Sequence, residues 1–305
     1  MSDTEYQRQP RIPNPHRICG VAPVRALFLR RAEDVIRLFY LAERRQEAGP
    51  LCAYLARTRR VYREVDAHEL ARIAGTEHHG GICAIASLRY SEELPGHALP
   101  ANLPTAPVLT VLDGIGNPHN LGAIARTAAF FGCKGLVLSD DDRQCDLSDA
   151  AFRTSEGGLE HLRVLRARHL PNLLLGMRQQ YLTVAAVASG GVPPEALPRG
   201  RPFALVLGNE ETGIPEPTLA ACEARVTLPG SGLVESLNVA GAAAVLLHAL
   251  LAAAPAPAKA PAPVDARPPR SQPKGQGSAP AEDRPAGKLS LRPSTQPGGR
   301  RPGRG

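Results

Sequence analysis

The six cysteines of this 305-residue chain form no CxxC pair and share no Cys/His ligand spacing, so a structural zinc site is excluded and no metal is expected. Cys19, Cys52, Cys83, Cys133, Cys145 and Cys222 mostly sit in apolar runs, as reduced core thiols of a cytoplasmic protein do. The opening MSDTEYQRQPRIPNPHR lacks an apolar signal segment. Long hydrophobic runs are missing too. The longest, Val239 to Pro257, is alanine-rich and interrupted by His248, so no membrane span is expected. A GxG at Gly114 to Gly116 follows a strand-like run, but no third glycine arrives at GxGxxG spacing, which removes the main support for a nucleotide-dependent oxidoreductase.

What is present is unevenly charged. The formal net charge is +7, yet residues 1–89 carry 15 Lys+Arg against 10 Asp+Glu, residues 90–254 carry 11 against 16, and residues 255–305 carry 10 against 3. Basic flanks around an acidic middle suit a polyanion held by the flanks with chemistry in the centre. Residues 1–16 contain Pro10, Pro13 and Pro15 and read as a loose arm; residues 91–106, with Pro95, Pro100 and Pro104 and no periodicity, read as a linker. Twelve of the last 51 residues are proline, and that composition predicts a disordered basic tail over 255–305.

Between arm and linker, residues 17–90 alternate short helices and strands. CGVAPVRALFLRR reads as a helix, VIRLFYLA as a strand, GPLCAYLARTRR as a helix, VYREV as a strand, DAHELARIAG as a helix capped by Asp66, and GICAIASLR as a strand, together a small α/β sandwich. His78 and His79 precede the last strand, either as a solvated loop or in contact with RNA backbone. Residues 107–254 open on PVLTVLD, an apolar run typical of a strand covered on both faces. They alternate strictly through KGLVLS, HLRVLRA, LTVAAVA, FALVLG and ARVTLP, with helices between, including SDAAFRTSEGG read as one helix. This alternation predicts a parallel sheet, whose ligands sit at the carboxyl ends of the strands.

Three polar turns fall at such ends: DGIGNPHNLGAIARTAAFFG, ALVLGNEETGIP, and LPGSGLVESLNVAGAAAVLLHAL, where a glycine-rich turn enters a small-residue helix. In this order and spacing they resemble the SpoU (TrmH) family of RNA ribose 2′-O-methyltransferases in the SPOUT superfamily. NLGAIARTA (Asn120 to Ala128) matches the first motif, GNEETGI (Gly208 to Ile214) the second, and LPGSGLVESLNVAGAAAVLL (Leu228 to Leu247) the third. CGVAPVRALF and HHGGICAIA are similar to pieces of the ribosomal-protein-like RNA-binding module often found ahead of that domain.

The resemblance implies an α/β fold with a trefoil-knotted parallel sheet. It also implies methyl transfer from S-adenosyl-L-methionine to a ribose hydroxyl of tRNA or rRNA, and a homodimer. Asn120, Arg126, Glu210, Ser236 and Asn238 are the implied catalytic set, and Gly208, Leu228 and Leu237 the implied cofactor contacts. From its place in the helix, Arg126 is expected to reach back over the strand ends towards the other two motif loops. The alanine-rich face of Ala240 to Ala249, with Leu246, Leu247, Leu250 and Leu251, is the expected dimer surface. Two departures touch the cofactor wall. Glu211 and Thr212 stand where a second glycine is common, and Leu228-Pro229-Gly230 replaces the common Ile-Pro-Met. The departure in the second motif leaves open an alternative, an RNA-binding or assembly protein that keeps the fold and no longer methylates.

Overall fold

The computed structural model describes residues 15–252. The expected tail lies outside the described residues, as does all but the end of the expected arm.

Strand β1 (His16–Cys19) opens the smaller module, followed by α1 (Val21–Arg31), β2 (Val35–Tyr40), α2 (Arg45–Arg57), β3 (Val61–Glu64), α3 (Ala67–Ala74) and β4 (Ile82–Ala86). The sheet order is β1-β4-β2-β3, with β4 antiparallel to both neighbours and β2 parallel to β3. Asp66 caps α3 as read, its carboxylate accepting the Glu69 N–H at 2.8 Å. The reading of residues 19–31 as one helix is corrected. Cys19 closes a strand, the chain turns at Gly20, and the helix begins at Val21. His79 is buried, and its Nδ1 accepts the Gly81 N–H at 3.1 Å, so it shapes its own turn.

The segment expected as a linker contributes β5 (Glu92–Glu93) to the edge of the larger sheet and buries Leu94. The larger domain continues with β6 (Val108–Asp113), α4 (Pro118–Phe130), β7 (Gly135–Leu138), α5 (Asp149–Thr154), α6 (Gly158–His161), β8 (Arg163–Arg166), α7 (Leu170–Met177), β9 (Leu182–Ala186), β10 (Phe203–Gly208), α8 (Glu216–Ala221), β11 (Ala224–Val226) and α9 (Val239–Ala252). SDAAFRTSEGG is two helices rather than one, because Glu156 and Gly157 take positive φ of 48° and 88° between them.

The seven strands lie in the order β11-β9-β10-β6-β7-β8-β5, and every pairing is parallel. All six residues of β6 are buried, which is why its sequence is apolar without alternation. From β6 the chain winds outward through β7 and β8, then returns on the other side as β9, β10 and β11. The order therefore reverses between β6 and β10, where Asp113 and Gly208 are paired at the carboxyl ends. Open parallel sheets bind ligands in the crevice such a reversal creates.

Helix α9 packs on α4, with Val239, Ala243, Leu246, Leu247 and Leu250 buried in its own chain's core. Burying side chains of this kind contributes roughly 1.5–3 kcal/mol each for the larger ones. That corrects the expected dimer surface: Leu246, Leu247 and Leu250 are at most 2% exposed and belong to the fold. The face of α9 left open carries Gly241, Val245 and His248, beside an α4 whose Phe130 is 82% exposed.

The two modules meet through buried charge. Arg31 donates to Glu160 with Nε at 2.9 Å and Nη2 at 2.8 Å, and Arg89 donates to the Leu159 and Leu162 carbonyls. Burial works against the Arg31 charge, but the bonds to Glu160 more than offset it and leave its pKa raised. Strand β1 joins the contact: His16 Nδ1 lies 3.1 Å from Asp149 Oδ1, and the Arg17 N–H donates to the same oxygen. Between the modules runs the turn at Gly157 and Gly158. A Cβ at Gly157 would lie 2.8 Å from the Ala26 Cβ of α1, and one at Gly158 would lie 2.8 Å from the Arg126 Cα of α4.

Candidate active site

Three loops at the carboxyl edge of the larger sheet build the site. After β6 the backbone is pinned from the neighbouring loop: the Gly114 N–H donates to Ser139 Oγ at 3.1 Å and the Ile115 N–H to Gln144 Oε1 at 3.0 Å. Asn117 then caps α4, accepting from the His119 N–H at 2.8 Å, with Pro118 in the first turn. Asn120 follows, in reach of the other two loops.

The loop after β10 folds back on itself. Asn209 and Gly213 exchange backbone hydrogen bonds of 3.1 and 3.0 Å, so Gly208 faces the returning chain. A Cβ at Gly208 would lie 2.5 Å from Ile214 Cγ1 and 2.6 Å from the Gly213 carbonyl carbon, which leaves room for glycine alone. Asn209 ties the loop together: its Oδ1 accepts from the Glu211 and Thr212 N–H groups at 2.9 and 3.1 Å, while its Nδ2 donates to the Gly114 carbonyl at 2.8 Å. Beside it Arg143 donates to Thr212 Oγ1 at 2.5 Å and to both oxygens of Asp141, holding that carboxyl down to about 2.

The third loop, from Leu228 to Asn238, closes the other side of a cavity of about 540 Å³. Gly208, Glu210, Leu228, Ser236 and Leu237 all line it. Asn120 Nδ2 donates to Glu210 Oε1, and Asn238 Nδ2 donates to Asn120 Oδ1 at 3.3 Å. Asn238 Oδ1 in turn accepts the Ala240 N–H at 2.9 Å, so the same residue caps α9 and closes the chain of side chains. Residues 120, 210 and 238 are thereby joined across three loops.

Arg126 stands apart from the other site residues. Six residues beyond Asn120 is about 120° round the helix and about 9 Å along it. The side chain is exposed, does not line the cavity, and makes no hydrogen bond or ion pair among the described residues. The expectation that it reaches the other motif loops is corrected for the single chain; Glu210 bonds to Asn120. Burial pushes the thiols of Cys133 and Cys145 up to about 11 and that of Cys222 to about 12, so these remain protonated at neutral pH and supply no thiolate nucleophile. Sequence reasoning missed Asn209 and Arg143. Asn209 lies inside the quoted GNEETGI, but its contacts are internal to the loop. Arg143 lies in DDDRQCD, which carries no motif.

The model of the SpoU rRNA Methylase family matches residues 107–248, and that of the RNA 2′-O ribose methyltransferase substrate binding domain matches residues 17–90. A 23S rRNA (guanosine-2′-O-)-methyltransferase of Nitrosomonas europaea is 32% identical over 225 residues, spanning 72% of this chain and 85% of that protein. The chain belongs to the SpoU family. A second relative, an uncharacterized tRNA/rRNA methyltransferase of Haemophilus influenzae, is 35% identical over 228 residues; this chain spans 73% of its own length and 62% of that relative's. The SpoU fold is seen again in the AdoMet-bound rRNA methyltransferase of Sinorhizobium meliloti. That structure superposes with a TM-score of 0.64 at 22% identity, over 77% of this chain and 86% of that one.

Proposed function

We propose that this chain transfers a methyl group from S-adenosyl-L-methionine to a ribose 2′-hydroxyl of tRNA or rRNA, in the cytoplasm and as a homodimer. The observation that carries the reading is the cavity over the carboxyl ends of β9, β10 and β11, lined by the second and third motif loops and abutting the Asn120, Glu210 and Asn238 chain. Its volume suits a ligand the size of a nucleoside bearing an amino acid. Gly208 brings backbone to its wall, while Leu228 and Leu237 supply apolar surface. When bound, S-adenosyl-L-methionine supplies a methyl carbon already activated by a sulfonium.

The protein then has to hold the acceptor oxygen in line and favour loss of its proton. Glu210 and Asn238 fix the Asn120 amide from both ends, presetting the polar rim on which the ribose is received. Ser236, on the same rim, donates to an RNA phosphate. A guanidinium offers a positive charge and a planar set of donors, so the part of Arg126 is to stabilise negative charge on the hydroxyl oxygen as the proton leaves to water. Because Arg126 does not line its own chain's cavity, a second chain is the natural source of this charge. The exposed Phe130 and Val245 on adjoining helices support a two-fold contact there.

Purified protein, S-adenosyl-L-methionine with a labelled methyl group, and RNA from a strain deleted for this gene provide the test. Nuclease digestion and mass spectrometry should find the label on a ribose 2′-oxygen; label on a base instead would overturn the reading. Light scattering on the active preparation should give a dimer mass. At limiting S-adenosyl-L-methionine, mixing an Arg126→Ala chain with a Gly208→Ala chain should give activity above that of either variant alone, and strictly monomeric active protein would rule the shared site out.

Gly208→Ala tests the cofactor wall. The added methyl meets backbone rather than a movable side chain, so the loop must shift. Overpacking of this kind costs about 1–3 kcal/mol. Calorimetric titration should show S-adenosyl-L-methionine affinity reduced by a factor of about five to a hundred, since every 1.4 kcal/mol is about tenfold.

A further inference from the structure

Glu211 and Thr212 stand where a second glycine is common, and the structure gives Thr212 a partner from outside all three motifs. We propose that Arg143 is a positioning residue for the cofactor wall, latching the second motif loop through Thr212. This rests on the cavity being the S-adenosyl-L-methionine site.

The Arg143 guanidinium is spoken for at each nitrogen. Nε and Nη2 donate to Asp141 at 2.9 and 2.7 Å, and Nη1 donates to Thr212 Oγ1. The Arg143 N–H also donates to Asp141 Oδ1 at 2.8 Å, so the side chain is held in place from its own backbone outward before it meets Thr212. Hydrogen bonding at Thr212 balances: the hydroxyl accepts from Arg143 and donates to Asn209 Oδ1 at 3.3 Å. Asn209 carries the connection onward to the Gly114 carbonyl. The loops after β6, β7 and β10 are thus tied at one point.

Thr212 lines the cavity and Arg143 does not, so Arg143 braces the wall from behind. The brace has a purpose in this chain. Glu211 and Thr212 are exposed, and the hydrogen bond from Arg143 ties their turn from outside the loop. Lysine at position 143 cannot replace the fork, because a single ammonium cannot serve Asp141 and Thr212 in the planar arrangement seen here. Both partners are partly solvated, so the latch shifts cofactor affinity moderately rather than deciding the fold.

The test is a double-mutant cycle on S-adenosyl-L-methionine affinity, measured by calorimetry on the full chain. Arg143→Ala and Thr212→Val should each weaken binding about tenfold, as loss of a hydrogen bond to a charged group does. The double variant should be little weaker than either single one, because both remove the same contact. Thr212→Ser keeps the hydroxyl and should bind as the parent does, while Arg143→Lys should behave like Arg143→Ala. A second readout needs no cofactor: amide exchange of residues 209–213 should accelerate in both single variants. Additive effects in the cycle, or singles with parental affinity and parental exchange, would overturn the latch. Singles whose loop amides exchange faster in a protein whose parent takes up no S-adenosyl-L-methionine would keep the tie but overturn the cofactor reading beneath it.

Discussion

Arg126→Ala is expected to slow methyl transfer by a factor of about a hundred to a thousand while leaving S-adenosyl-L-methionine affinity within a factor of about two, the size of effect seen when a preorganised charge is taken from a transition state. Three features of the structure support a loss this selective. The side chain is exposed and bonded to nothing among the described residues, so its removal disturbs no packed or paired group. Its Cα, by contrast, lies tightly against Gly158, so the helix stays in place after truncation. The cavity wall is built by Gly208, Leu228 and Leu237 on other loops. Lysine should rescue little, because a point charge lacks the planar fork. Single-turnover kinetics at saturating RNA are required, so that weakened binding does not pass for slower chemistry. Parental transfer under those conditions would remove Arg126 from the catalytic set.

Glu160→Ala carries the largest expected effect on stability. The Glu160 side chain is 1% exposed and meets Arg31 through two bonds of 2.8 and 2.9 Å, with Arg89 near the same carboxylate. Removing one member of a buried ion pair leaves the other charge unpaired, at a cost of about 3–5 kcal/mol. For a folded region of this size, that corresponds to a melting temperature lower by roughly 10 °C. Replacing both partners with apolar residues of similar volume, Arg31→Met with Glu160→Leu, should recover much of the loss, since the desolvation of both charges disappears together. Melting curves of the two single variants and the pair decide the matter. A double variant as unstable as Glu160→Ala would show that the pair supplies more than charge neutralisation.

Much of this architecture was legible in the residues. Apolar runs such as VLTVLD and FALVLG mark strands buried on both faces, and their strict alternation with helices implies the parallel sheet. Short elements escaped for a physical reason. HRIC is only four residues long, and Glu92–Glu93 is a strand only because β8 offers an edge to pair with; neither has a periodicity of its own. Thr154 to Gly158 looked helical because serine and glutamate tolerate helix, while the break depends on backbone angles that composition does not display.

At the site, the motifs located Asn120, Glu210 and Asn238, but their mutual bonds span 90 and 118 residues of sequence and no spacing rule contains them. Proximity to a strand end along the chain says little about which side of a helix a residue takes, and Arg126 lies outside the cavity lining. Leu246, Leu247 and Leu250 were assigned to an outer surface when the apolar character of α9 equally well serves an inner one.

The turn at Gly157 and Gly158 has α1 of the smaller module on one side and α4 of the larger domain on the other, each close enough that a single methyl would intrude. The outcome is metrical. On the proposed reading, that close packing would set the interval between RNA gripped by the smaller module and the ribose offered to the cavity, and the chain would work as a calliper. Its target would then be defined by distance as much as by base identity. One base pair added between grip and target would carry the proper ribose out of range and bring a neighbouring one into it, relocating the methyl mark instead of diminishing it.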